Sequence, residues 1–97
     1  MNEKVYILSN PSMPGLYKIG KTKREVKRAI QELGAPESIP RPFEEEFSVE
    51  VKNANEVKRK AMAKLAVFRV SPNREFFRTD LETIKETIYD MIDEQQK

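Results

Sequence analysis

Between Lys4 and Gly20 the chain reads KVYILSNPSMPGLYKIG. Two short apolar runs, each holding a tyrosine, flank a loop through which no helix can pass. Pro11 and Pro14 fix φ and remove backbone donors, and Gly15 supplies the positive φ that lets a chain reverse. The stretch is therefore expected to be a hairpin, with a loop too long for a two-residue turn. Val5, Tyr6, Ile7 and Leu8 are apolar on both faces of a strand, so the first arm belongs at the centre of a sheet covered on both sides. Leu16, Tyr17 and Ile19 form the second arm, and Gly20 at its end leaves room for another backbone or a ligand.

The rest of the chain reads as elements laid against this hairpin. Thr22 with Glu25 three residues on has the form of a capping box, and Val26, Ala29, Ile30 and Leu33 follow at helical spacing. Gly34 ends that helix, and Pro36, Pro40 and Pro42 keep the next segment out of helix. Phe47, Val49 and Val51 alternate with Glu46, Ser48 and Glu50, which predicts a third strand with one buried and one wet face. Glu44, Glu45 and Glu46 read as its solvated start rather than as metal ligands. Asn53 with Glu56 repeats the capping pattern ahead of a second helix, whose apolar stripe is Val57, Ala61, Leu65 and Phe68. Its other face carries Lys58, Arg59, Lys60 and Lys64, either a solvated face or a footprint for phosphates. Ser71-Pro72-Asn73 is a turn, and Glu75-Phe76-Phe77 a short extended piece whose phenylalanines are expected as core plugs. Asp80 caps a last helix striped by Leu81, Ile84, Ile88 and Met91.

Composition then removes whole classes of chemistry. The 97 residues include no cysteine and no histidine, which excludes a disulfide framework, a thiolate nucleophile, zinc hydrolysis and histidine-based triads. A general base would have to be a carboxylate, a lysine or a tyrosine. The length fits one domain over 1–97, and the chain holds no apolar run long enough for a membrane span. With no basic and apolar leader at its start, a cytoplasmic location is expected. The net charge of +2 hides an asymmetry, because residues 1–79 carry +6 and residues 80–97 carry −4. A basic body points to an anionic partner, nucleic acid above all.

Ten residues separate Tyr6 from Tyr17, and Val5-Tyr6-Ile7 and Tyr17-Lys18-Ile19-Gly20 run on through Lys21-Thr22 into a helix. Downstream lie Pro40-Arg41-Pro42-Phe43, the helix after Ala54, and Glu75-Phe76-Phe77. Together these landmarks resemble the GIY-YIG nuclease superfamily, and more narrowly a small phage-associated branch of it, over residues 4–78. The resemblance implies an α+β fold in which a small three-stranded antiparallel sheet is flanked by about three helices; the acidic helix over 80–97, read from its own apolar stripe and charge, lies beyond the resemblance and completes the chain. It also implies hydrolysis of a DNA phosphodiester with one divalent metal. Tyr6 and Tyr17 would sit side by side on the sheet, one activating water and the other orienting the phosphate. An arginine on the first helix would neutralise transition-state charge, and a glutamate on the helix after the third strand would hold the metal.

The chain departs from that pattern at two of the four parts. The arginine position falls on Ala29, with Arg28 one residue early and so turned by about 100° around the helix. The glutamate position falls on Lys58, with Glu56 two residues earlier, and a lysine repels a divalent ion rather than holding it. The histidine often found four residues later falls on Met62. Loss of the metal costs several powers of ten in rate. The reading is therefore a nucleic-acid-binding domain with degenerate or weak endonuclease activity and no cofactor. It would contact DNA phosphates through Lys18, Lys21, Lys23, Arg24, Lys27, Arg28 and Lys58. If catalysis survives, Tyr6, Tyr17 and Arg28 would carry it, with Mg²⁺ or Mn²⁺ on Glu75 or Glu56. The alternatives are an active metal-dependent DNA endonuclease and a protein-interaction factor of phage or prophage type, with no membrane partner in any of them.

Overall fold

The computed structural model describes residues 3–33, 41–71 and 74–95; Gly34, Pro36, Pro40, Pro72 and Asn73 lie outside them, so the helix end and parts of the two loops expected there are not described. Strands β1 (Glu3–Ser9) and β2 (Tyr17–Thr22) form the hairpin, followed by helix α1 (Val26–Leu33) and strand β3 (Glu44–Val51). Helix α2 (Ala54–Lys64), a 3₁₀ turn at Ala66–Phe68, the two-residue strand β4 (Phe76–Phe77) and helix α3 (Leu81–Gln95) complete the order. The class is α+β, as expected, but the sheet has four antiparallel strands rather than three, in the order β3-β1-β2-β4. The extra strand is the extended Phe76-Phe77 piece. Its two side chains are both apolar and point to opposite faces, so pairing it with β2 (Tyr17↔Phe77, Lys18↔Phe76) buries both and covers the outer edge of β2.

β1 lies at the centre, paired with β2 on one side and β3 on the other, and Val5, Tyr6, Ile7 and Leu8 are all buried. Two cores result. On one face Val5, Ile7, Ile19 and Phe77 pack with Val57, Ala61 and Leu65 following α2, and with Ile84, Ile88 and Met91 of α3. On the other, Tyr6, Leu8 and Phe76 pack with Val26 and Ala29 of α1 and with Phe43. β3 keeps the alternation read from the sequence, with Val51 buried, Phe47 and Val49 packed against the first core, and Glu46 and Glu50 exposed.

The hairpin loop is held by Asn10, which is buried. Its Oδ1 accepts from the Ser12 N–H at 2.8 Å, and its Nδ2 donates to the Arg41 carbonyl at 2.8 Å, tying the loop to the approach to β3. Gly15 has φ +82°, the left-handed conformation the turn requires.

Helix ends follow local chemistry. Asn53 caps α2, accepting from the Glu56 N–H at 3.1 Å, while Glu3 of β1 takes the Ala54 N–H at 2.9 Å. Asp80 caps α3 by accepting from the Thr83 N–H at 2.7 Å. The capping box expected at Thr22 does not form. Thr22 is still in β2, paired with Lys4, and its hydroxyl accepts from the Arg24 N–H at 3.0 Å; the Glu25 carbonyl accepts from Arg28 and Ala29, so α1 starts at Val26. Phe68 is likewise not part of the α2 stripe, because the helix ends at Lys64 and the 3₁₀ turn carries Phe68 out to 37% exposure. Among the described residues no helix is long and apolar enough to cross a membrane.

Candidate nucleic-acid interface

The register of the hairpin decides what its tyrosines face. Tyr6 pairs with Gly20, Ile7 with Ile19 and Leu8 with Lys18. Side chains alternate along a strand, so Lys18 and Gly20 share the face of Tyr6, while Tyr17, three residues before Gly20, faces the other way. Packing agrees: Tyr6 belongs to the α1-side core and Tyr17 packs against the core under α2 and α3. The expectation that Tyr6 and Tyr17 stand side by side is thus corrected. Tyr17 lies three positions from Gly20, the partner of Tyr6, and residues an odd number of positions apart on a strand cannot share a face of a regular ladder. Lys18 stands diagonally from Tyr6 instead, and counting back from Gly20 would have shown this.

Tyr6 lies flat across Gly20. A Cβ built on Gly20 would be 2.3 Å from its Cζ and 2.4 Å from its Oη, so only glycine leaves room for the ring. Burial pushes the Tyr6 phenol up from its ordinary range, and the charges of Glu75 and Glu32 add to the effect. At neutral pH it is therefore a proton donor and not a base. From α1, Val26 and Ala29 belong to the same core as Tyr6; Arg28, one position before Ala29, is exposed.

Glu75 is held by two lysines from different elements. Lys58 of α2 donates to its Oε1 at 2.7 Å, and Lys18 of β2 stands 3.6 Å from Oε2 and 5.6 Å from the centre of the Phe76 ring. Burial pushes the Glu75 carboxyl up, but the hydrogen bond and charge of Lys58, together with Lys18, outweigh it, and the net shift is downward. Glu56, the other acid considered as a metal ligand, pairs with Lys60 at 2.9 Å, and that bond and charge lower its pKa. Among the described residues no group of three or more His, Cys, Asp or Glu comes together. A single carboxylate flanked by two ammonium groups is the wrong donor set for Mg²⁺ or Mn²⁺, which take several oxygen ligands. The residues present do not fit the metal the resemblance implies.

The seven cations chosen from the sequence fall into two groups. Lys18 and Lys58 are half-buried and committed to Glu75. Lys21, Lys23, Arg24, Lys27 and Arg28 lie exposed where β2 runs into α1. Of these, only Arg24 has an ion-pair partner among the described residues, Glu32 at 3.1 Å, and both of those side chains are 62% exposed. Lys21, Lys23, Lys27 and Arg28, without carboxylate partners among the described residues, can neutralise phosphates without any metal.

No curated protein and no solved structure matches this chain. The T5orf172 domain matches residues 3–92, from the first strand to the last turns of α3, which supports the phage-associated part of the resemblance. On that match, the chain belongs to the T5orf172 domain family.

Proposed function

We propose that this chain is a nucleic-acid-binding domain of GIY-YIG type that has lost most or all of its nuclease chemistry and grips DNA phosphates through the β2–α1 junction. The observation that carries the reading is the division of the cations: Lys21, Lys23, Lys27 and Arg28 are exposed without ion-pair partners among the described residues, whereas Lys18 and Lys58 are bound to Glu75. Supporting it, the positions where the resemblance calls for arginine and glutamate hold Ala29, buried against Tyr6, and Lys58, clamped on a carboxylate. Binding of this kind is electrostatic. With about four phosphates neutralised, log K should fall with log salt with a slope of about −3 to −4 on duplex DNA.

The experiment is nicking of supercoiled plasmid with Mg²⁺ and with Mn²⁺, run beside duplex DNA affinity as a function of salt. Salt-sensitive binding with nicking at background is the expected result; metal-dependent nicking lost in Tyr6→Phe would instead favour an active endonuclease. A protein-interaction role is the second reading, favoured by Val67 and Val70, which are 85% and 49% exposed on the segment leading to β4. Absence of DNA binding at low salt would select it.

A further inference from the structure

The outer side of α2 carries a groove of about 410 Å³, none of whose lining residues lies on α1. Its lining includes the apolar Met62, Ala63 and Ala66 and two guanidinium-bearing residues, Arg59 and Arg69. On a helix of about 3.6 residues per turn, Asn55, Arg59, Met62 and Ala63 fall on one stripe of α2, and Ala66 extends the lining from the 3₁₀ turn that follows. The remaining lining comes from Arg69 and Glu75, on the segment that approaches β4.

The polar groups are placed rather than scattered. Arg69 is fixed by its Nε, which donates to the Arg74 carbonyl at 3.0 Å, and among the described residues its terminal N–H groups have no ion-pair partner. Arg59 is exposed and has no ion-pair partner among the described residues. Lys58 is already spent on Glu75, at one side of the groove. An occupant must therefore offer an anion that suits forked guanidinium donors, a flat apolar body for the thioether and two methyl groups, and polar edges for the Asn55 amide and the Glu75 carboxylate. Phosphate suits the fork better than a point charge would, and a volume of this size is in the range of small-molecule sites. A fatty acid would leave the Asn55 amide without a partner, and an acidic peptide would leave the apolar lining bare.

We infer that this groove seats one unpaired nucleotide of a nucleic-acid strand, its phosphate on Arg59 and Arg69 and its base on Met62, Ala63 and Ala66. The site shares no residue with the β2–α1 junction, so it stands whether or not that junction binds duplex. It gives the domain a preference for DNA with a frayed end, flap or gap, where a base is free to leave the stack, because extrusion of a paired base costs unstacking energy.

The test is amide chemical-shift mapping of the full chain with a short oligodeoxyadenylate, the same oligomer made abasic, and a duplex. Shifts on the Asn55–Ala66 stretch, Arg69 and Glu75 are expected with the single strand. Affinity should fall roughly tenfold for Arg59→Ala combined with Arg69→Ala, about the worth of one charged hydrogen bond. It should fall as far for Ala63→Trp, which fills the groove at an exposed position and leaves every charge in place. Equal binding of the abasic oligomer, shifts confined to α1, or full affinity in Ala63→Trp would overturn the inference. The first and last of these would show that charge alone attracts the strand. Loss of duplex binding in Lys27→Ala combined with Arg28→Ala, with the single-strand shifts intact, would separate this site from the junction.

Discussion

On the α2/α3 face of the sheet, Ile7, Ile19, Phe77, Ile84 and Ile88 are all at 0% exposure, a core that excludes water throughout. On the α1 face, the same two central strands present Tyr6, Leu8, Lys18 and Gly20, covered by Val26, Ala29, Phe43 and Phe76. The first face is a plug of branched aliphatics under two helices; the second is smaller, carries an aromatic laid over a glycine, and ends in cations. One hairpin serves both because its side chains alternate. The difference teaches that the larger core and the exposed β2–α1 cations are divided by face: the core lies on one side of the sheet and those cations at the margin of the other.

The largest effect should therefore come from the first face. Phe77→Ala is expected to cost about 3–5 kcal/mol, a large part of the ~5–15 kcal/mol typical of a domain. Ile30→Ala on the partly exposed side of α1 should cost about 1 kcal/mol. Denaturant unfolding of both variants checks the contrast. Equal losses would break it, since the α1 side would then carry as much of the fold.

Next in size is Gly20→Ala. The added methyl group meets the Tyr6 ring, so a loss of about 1–3 kcal/mol is expected. In a Tyr6→Leu background the ring atoms it strikes are gone and the penalty should shrink. A double-mutant cycle with no coupling would mean that the ring does not rest on Gly20.

How much of this was legible in the sequence differs by element. The hairpin, the central place of β1, the alternation of β3 and the caps Asn53 and Asp80 could all be read, because each depends on residues close in the chain. Thr22 misled because a strand pairing with Lys4 overrode a local capping pattern. β4 was legible only as an extended piece, since two residues carry no periodicity and the partner strand lies far back in the chain. The opposed tyrosines followed from register, which needs the pairing of Tyr6 with Gly20 and not just the spacing of two motifs. The Lys18–Glu75–Lys58 cluster joins three elements distant in sequence, so no local pattern announces it.

That cluster is the next place to sharpen the comparison. Glu75→Gln leaves Lys58 and Lys18 without their counter-charge and should cost about 1 kcal/mol, well below a buried pair because this one is open to solvent. The folded carboxyl has a lowered pKa, so its contribution is fully present above the unfolded value of about 4.3 and is lost as pH falls through the folded value. The stability difference between wild type and Glu75→Gln should accordingly narrow on acidification into that range. A constant difference across the acid limb would show that the lysines are not held by the charge.

The smallest effects should be those on DNA affinity, and they discriminate best between the two groups of cations. Removing one exposed charge in Lys27→Ala should lower the salt slope of duplex binding by about 0.9 and weaken binding modestly. Lys58→Ala should leave the slope unchanged, because that ammonium faces Glu75 and not solvent phosphates. Tyr17→Phe should alter neither slope nor affinity, since its ring packs on the α2/α3 side, away from the cations. A slope change of equal size in Lys27→Ala and Lys58→Ala would mean that DNA reaches across the edge of the sheet to the α2 side. The separation of the duplex-binding cations by face would then fail at the sheet edge where Lys18 and Lys58 meet Glu75.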